Sequence, residues 1–177
     1  MKKSNNVLLI GFMGVGKGTV SRELAKSLNR LLLDTDDLIE VAQNRKIREI
    51  FAQEGEEYFR DLERKTAKNL AANVKNSIIA CGGGFAKIKN LKQIGKVVYL
   101  KSSFEGIIKR LENSENSQKK FAKRPLLADL DKAKRLFEER KKLYKSRADL
   151  IVEAEGKTPE QIAEEIKTEL KLRRRNR

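Results

Sequence analysis

The chain has 177 residues, with 40 Lys+Arg against 25 Asp+Glu, a net charge of +15 and no histidine. That length suits one domain with a single core, and the missing histidine excludes histidine-based triads, general bases and metal sites. One cysteine, Cys81, excludes an internal disulfide and any CxxC zinc or redox motif, as expected of a reducing compartment.

The start, MKKSNNVLLIGFMGVGK, has a basic end and an apolar stretch, but that stretch is broken by glycine and reaches Lys17 without a small-residue cleavage site. It is not read as a signal peptide. With a mean hydropathy of −0.61 and no apolar run near the roughly 20 residues that span a bilayer, the expectation is a cytoplasmic protein.

Val7–Ile10 is a short apolar run without alternation, as in a strand buried on both faces. Directly after it, GFMGVGKGT (Gly11–Thr19) opens a helix over Lys17–Leu28 that carries Val20, Leu24 and Leu28 at helical spacing. Strand, loop and helix are the required setting for the phosphate-cradling pattern G-x-x-x-x-G-K. The N–H groups of Gly14, Val15, Gly16, Lys17, Gly18 and Thr19 then face an anion, aided by the positive end of the helix dipole. Lys17 bridges the β- and γ-phosphates in such loops. At one position the chain departs from the pattern, with Gly18 where Ser or Thr is usual and Thr19 after it.

A second buried strand is expected at Leu31–Leu33, followed by Asp34, Thr35, Asp36 and Asp37. Ligands of open α/β sheets sit outside the carboxyl ends of the strands. Asp34 and Asp36 there can hold Mg²⁺ through waters or accept hydrogen bonds from substrate hydroxyls, and Asp37 reads as a helix N-cap. A helix follows over Glu56–Val74, with Phe59, Leu62, Leu70 and Val74 on its apolar stripe. The strand Ile78–Cys81 runs into Gly82, Gly83 and Gly84, which suit close approach of a ligand to the backbone or simply a tight turn.

Beyond the strand Val97–Leu100 and a helix over Ser103–Leu111, Glu112–Lys123 is polar and rich in Asn, Ser and Lys, up to Arg124-Pro125. A loop of that length in a compact domain is read as a mobile lid. On the helix Asp131–Ser146, Arg140 stands between Leu136 and Tyr144 on the apolar stripe. An inward-facing arginine needs an anionic partner, either a structural carboxylate or a substrate carboxylate held in a bidentate fork. Leu150–Val152 is a weaker fifth strand, and a last helix runs over Pro159–Leu172 with Thr158 as N-cap. Strand alternating with helix throughout argues for a doubly wound α/β sheet. One domain is expected over residues 1–172, with a lid at about 112–125 and a frayed basic tail at 173–177.

In combination the segments GFMGVGKGT, LDTDDLIE, IFAQEGEEYFR, the strand ending in GGG, KRPLL and EERKKLY resemble shikimate kinases, in order and over nearly the whole chain. The resemblance implies a three-layer α/β sandwich with a five-stranded parallel sheet, a P-loop NTPase of the nucleoside-monophosphate-kinase-like type. It implies ATP-dependent phosphorylation of the 3-hydroxyl of shikimate. Carried over by motif, Asp36 binds the shikimate hydroxyls and helps take the proton, and Asp34 holds Mg²⁺ through water. Arg60 and Arg140 clamp the shikimate carboxylate, with Gly82, Gly83 and Gly84 lining the pocket. Arg124, in the lid motif, covers the ATP phosphates, while Arg110 and Lys157 match adenine-flanking positions loosely. The family usually spells its loop GKS or GKT, with that hydroxyl on Mg²⁺, so here the metal contact falls to the Gly18 position or Thr19. The expected partner is shikimate alone, with no nucleic acid and no membrane, on a monomer.

Two rival readings stand beside this one. GKGT is the spelling of adenylate kinases, so a nucleoside monophosphate kinase or a gluconate kinase of the same fold is the nearer rival. A basic nucleic-acid-binding NTPase is the remoter one. It needs a basic stripe with aromatics for base stacking, whereas aromatics are 6% of the chain and tryptophan is absent.

Overall fold

The computed structural model describes residues 5–122 and 124–174. Five strands, β1 (Val7–Ile10), β2 (Leu31–Asp34), β3 (Ser77–Ala80), β4 (Lys96–Lys101) and β5 (Leu150–Glu153), form one parallel sheet in the order β2-β3-β1-β4-β5. Flanking it are α1 (Lys17–Leu28), α2 (Thr35–Gln43), α3 (Ile47–Asn73), α4 (Leu91–Ile94), α5 (Phe104–Glu112), α6 (Ser117–Ala122), α7 (Leu130–Arg147) and α8 (Pro159–Glu169).

The apolar runs of β1, β3 and β4 are buried, as their lack of alternation requires. The expected burial of β2 fails. Leu31 is 73% and Leu32 37% exposed, because β2 is an edge strand and is not covered on both sides. The main core gathers β1, β3 and β4 with Val20, Leu24 and Leu28 of α1 and Phe137 and Tyr144 of α7. A second, smaller cluster of Ile39, Ile50, Phe59 and Leu62 joins α2 to α3.

Local chemistry sets most element ends. Thr158 Oγ1 accepts from the Gln161 amide and Gln161 Oε1 accepts from the Thr158 amide, the capping box of α8. The chain leaves α8 at Glu169, short of the expected Leu172, with Lys171 in the left-handed region. The helix expected from Glu56 is the second half of α3. Its first half, Ile47–Glu54, is set off by Gly55 at φ 81, ψ 179, a conformation that a side chain would strain. The polar stretch Glu112–Lys123 expected as a mobile lid contains α6, and a 3₁₀ turn at Pro125–Ala128 follows it. The frayed end expected at 173–177 falls partly on residues 175–177, which lie outside the described residues.

Parallel register decides where chemistry can occur. Leu9 and Asp34 both align with Ala80, and the Cys81 amide donates to the Leu9 carbonyl. The segments that follow β1, β2 and β3 therefore leave the sheet abreast, beside the point where the strand order reverses.

Candidate active site

After β1 the chain turns through Gly14 (φ 84) and Gly16 (φ 104, ψ 19), and Gly16 is the N-cap of α1. These left-handed dihedrals wrap the loop around its own amides. Lys17 lies back over the loop, its Nζ donating to the Gly11 carbonyl at 2.7 Å and the Phe12 carbonyl at 3.0 Å. Burial pushes its pKa down to about 8, with Asp36 and Asp34 only partly opposing. The Arg110 guanidinium donates to the Val15 carbonyl and lies against Gly16, where a Cβ would collide with it. Arg124 donates to the Lys120 carbonyl of α6, and its own pKa is lowered by burial and then by Arg110. Three cations thus crowd one loop, where Arg110 disfavours the charge of Arg124 and Arg124 that of Lys17. Such an arrangement is stabilised by a polyanion.

Asp34 ends β2 with extended dihedrals and caps α2, its Oδ1 accepting from the amides of Asp36 (2.8 Å) and Asp37 (3.4 Å). The cap expected at Asp37 is therefore Asp34, since only the residue at the strand end has its carboxylate over the first turn. Asp34's second oxygen accepts no hydrogen bond among the described residues. Asp36 is pushed up to about 6 by burial and then by Asp34, against the pull of Lys17. Thr35 is fully buried and its Oγ1 accepts from the Gly82 amide at 2.9 Å, tying the β2 end to the glycine triplet.

The triplet has one neighbour per glycine. A Cβ on Gly82 would meet the Asp36 carboxylate, one on Gly84 the Arg60 guanidinium, and one on Gly83 Arg140 Nη1 at 3.0 Å. The triplet is a floor on which three charged side chains lie, so neither a tight turn alone nor chance explains it.

The two arginines differ in their own partners. Arg60 is fixed by Glu56 (2.7 Å) and by Glu63 (2.6 Å), a carboxylate 1% exposed that burial pushes up despite Arg60. Arg140 is 7% exposed, its Nε has no hydrogen-bond partner, and no carboxylate among the described residues pairs with it. Among the described residues it is tied to Tyr144, whose hydroxyl donates to the Gly83 carbonyl at 2.7 Å. Of the two partners open from the sequence, the structural carboxylate is absent among the described residues. A buried guanidinium left this way is costly until an external anion pairs with it.

These groups line one cleft of about 630 Å³, with the phosphate loop at one end, Arg60 and Arg140 at the other and Asp36 between. Among the expected site residues Lys157 is not brought there. It pairs with Glu165 at 2.5 Å. Val15 is buried and contributes its backbone only. Glu63, Tyr144 and Arg22 were not singled out as site residues from the sequence. Glu63 is visible only as the i+3 partner of Arg60, Tyr144 reads there as core, and Arg22 as an ordinary charged helix position.

A family model described as SKI: Shikimate kinase matches residues 13–171. The curated shikimate kinase of Helicobacter hepaticus is 44% identical over 161 residues, 91% of this chain and 93% of that one. That of Sulfurihydrogenibium sp. is 43% identical over 173 residues, 95% and 99% of the two chains. A solved shikimate kinase from Acinetobacter baumannii in complex with shikimate superposes with a TM-score of 0.82 at 33% identity, covering 96% of this chain and 95% of that one. The Aquifex aeolicus shikimate kinase gives 0.76 at 37% identity, covering 94% and 96%. The family model over residues 13–171, the curated relatives and the solved structures together place the chain in the shikimate kinase family.

Proposed function

We propose the following division of labour for the family's reaction, transfer of the γ-phosphoryl group of ATP to the 3-hydroxyl of shikimate to give ADP and shikimate 3-phosphate. The observation that carries it is the unpaired, buried Arg140 beside Arg60, set across Asp36 from the phosphate loop. Arg140 and Arg60 take the shikimate carboxylate, which completes the ion pair that Arg140 lacks. Shikimate so anchored lays its hydroxyls along the triplet, where Asp36 accepts the proton of the attacking one. A base pushed up to about 6 is matched to that task near neutrality. Lys17, Arg110 and Arg124 receive the phosphates, and the charge that spreads over the transferring group replaces their mutual repulsion with attraction.

The residues present also fit Mg²⁺ carried on the nucleotide. Asp34 keeps one oxygen unengaged and stands beside Asp36; burial and then the Asp37 charge hold its own pKa up, and its charge in turn helps raise that of Asp36. A cation held there through water by Asp34 relieves that repulsion. When bound, the ion neutralises charge on the β- and γ-phosphates. Among the described residues no helix is long and apolar enough to cross a membrane. A cytoplasmic location is proposed with the function, from the use of ATP and the lone buried thiol.

The test is ADP formation from ATP with shikimate, AMP or gluconate offered separately. Turnover with shikimate alone is expected, and turnover with AMP or gluconate in its place overturns the assignment. Tyr144→Phe removes the hydroxyl that joins Arg140 to the Gly83 carbonyl. It is expected to raise the shikimate KM several-fold, about 0.5–1.5 kcal/mol for one hydrogen bond, with the ATP KM unchanged. Equal effects on both would make Tyr144 a core residue only. For the lid, trypsin is expected to cut apo protein first at exposed Lys119 or neighbouring Lys120. ATP with shikimate slows that cut as Arg124 draws α6 over the phosphates. Equal rates with and without ligands would reduce the segment to an ordinary loop.

A further inference from the structure

Gly18 is not needed by the backbone of this loop. Unlike Gly14 and Gly16 it has no positive φ, and a Cβ placed on it meets nothing within 4 Å. Neither strain nor crowding therefore keeps a side chain out. What the glycine removes is the hydroxyl that phosphate loops of the form G-x-x-x-x-G-K-[ST] present to Mg²⁺.

Within Gly11–Thr19 the one remaining hydroxyl is that of Thr19, the next residue, and Asp34 stands across the cleft. Among the described residues no cluster of three or more His, Cys, Asp or Glu side chains is arranged to hold a metal ion. The surroundings do supply positive charge. Lys17, Arg110 and Arg124 converge on the loop, and Arg22 stands one helical turn beyond Gly18 and lines the same cleft. Helical side chains tilt toward the N-terminus and cover the turn before their own Cα. Arg22 is thus exposed on the face of α1 that carries Gly18, with its side chain beyond 4 Å of a Cβ placed there. It makes no hydrogen bond or ion pair among the described residues.

We propose that this loop binds a nucleoside diphosphate without recruiting a divalent ion, Arg22 supplying beside Gly18 the positive charge that a loop-held metal supplies elsewhere. The inference rests on the nucleotide reading of the cleft. The metal is then needed for the γ-phosphoryl group and Asp34, not for grip on the α- and β-phosphates.

The experiment is titration calorimetry of ADP into the full chain, in EDTA and in saturating Mg²⁺, for wild type, Gly18→Ser and Arg22→Gln. Wild-type affinity is expected to change less than about threefold between the two conditions. Gly18→Ser, which has the room and the dihedral for a side chain, is expected to gain about tenfold from Mg²⁺, because one direct oxygen ligand is restored. Arg22→Gln is expected to lose about tenfold in EDTA, as for one charge-assisted hydrogen bond. A wild type that loses tenfold or more in EDTA, a Gly18→Ser with the wild-type metal response, or an Arg22→Gln with unchanged metal-free affinity each overturns the proposal. Absence of ADP binding in both conditions overturns the nucleotide reading instead.

Discussion

Asp36→Asn lowers kcat by about 10²–10⁴, the range for loss of a positioned general base, while the fold and the melting temperature stay close to wild type. Asparagine fits where aspartate does. It keeps the planar end group that packs on Gly82, so the floor of the cleft is undisturbed. What it loses is an acceptor able to take a proton and the charge that holds Lys17 partly protonated against burial. Both losses act on the transferring group rather than on the anchored carboxylate, so the shikimate KM moves far less than kcat. Steady-state kinetics of the variant measure this directly. A kcat within a few-fold of wild type would remove Asp36 from the proton path and leave it a hydroxyl ligand.

Arg140→Lys raises the shikimate KM by about 1.5–3 kcal/mol, roughly ten- to a hundredfold, and leaves the ATP KM unchanged. Lysine keeps the charge but not the planar fork, and a bidentate site does not treat the two alike. The position offers no second carboxylate to fall back on, since Glu56 and Glu63 are already engaged by Arg60. A shikimate analogue lacking the carboxylate separates the two accounts. It should bind wild type and Arg140→Lys alike if the fork reads the carboxylate. A variant with an unaltered shikimate KM would take Arg140 out of the site.

Where local sequence controls the outcome, sequence reasoning reached it. The buried runs of β1, β3 and β4, the Thr158 cap and the phosphate loop each depend on a few adjacent residues, and each stands as read. Arg140 was legible as a break in a helical stripe, though not its lack of a carboxylate, which depends on what α3 brings alongside. The misread elements all turn on long-range placement. Leu31–Leu33 has a core strand's composition but sits at an edge, and strand order is invisible in a four-residue run. Asp34 and Asp37 are equal as caps on paper, and only the strand end chooses between them. The glycine triplet reads equally as a ligand approach or a tight turn in the sequence, because its three partners come from α2, α3 and α7, far away in the chain.

The two separate apolar clusters have a consequence for how the molecule comes apart. The main cluster anchors the phosphate loop through Phe12, Val15 and Val20, whereas α2 and the start of α3 rest on Ile39, Ile50, Phe59 and Leu62, with Gly55 loosening the chain between. Cooperative units with few buried contacts open at lower free energy than the global transition. Arg60, next to Phe59, belongs to the weaker unit, and Lys17 to the stronger. Under mild denaturing stress the Arg60 side of the acceptor end therefore exchanges its amides first, while Arg140 on α7 and the nucleotide end stay with the main cluster. A partly opened molecule of this kind is expected to hold ATP while gripping the acceptor with half of its clamp.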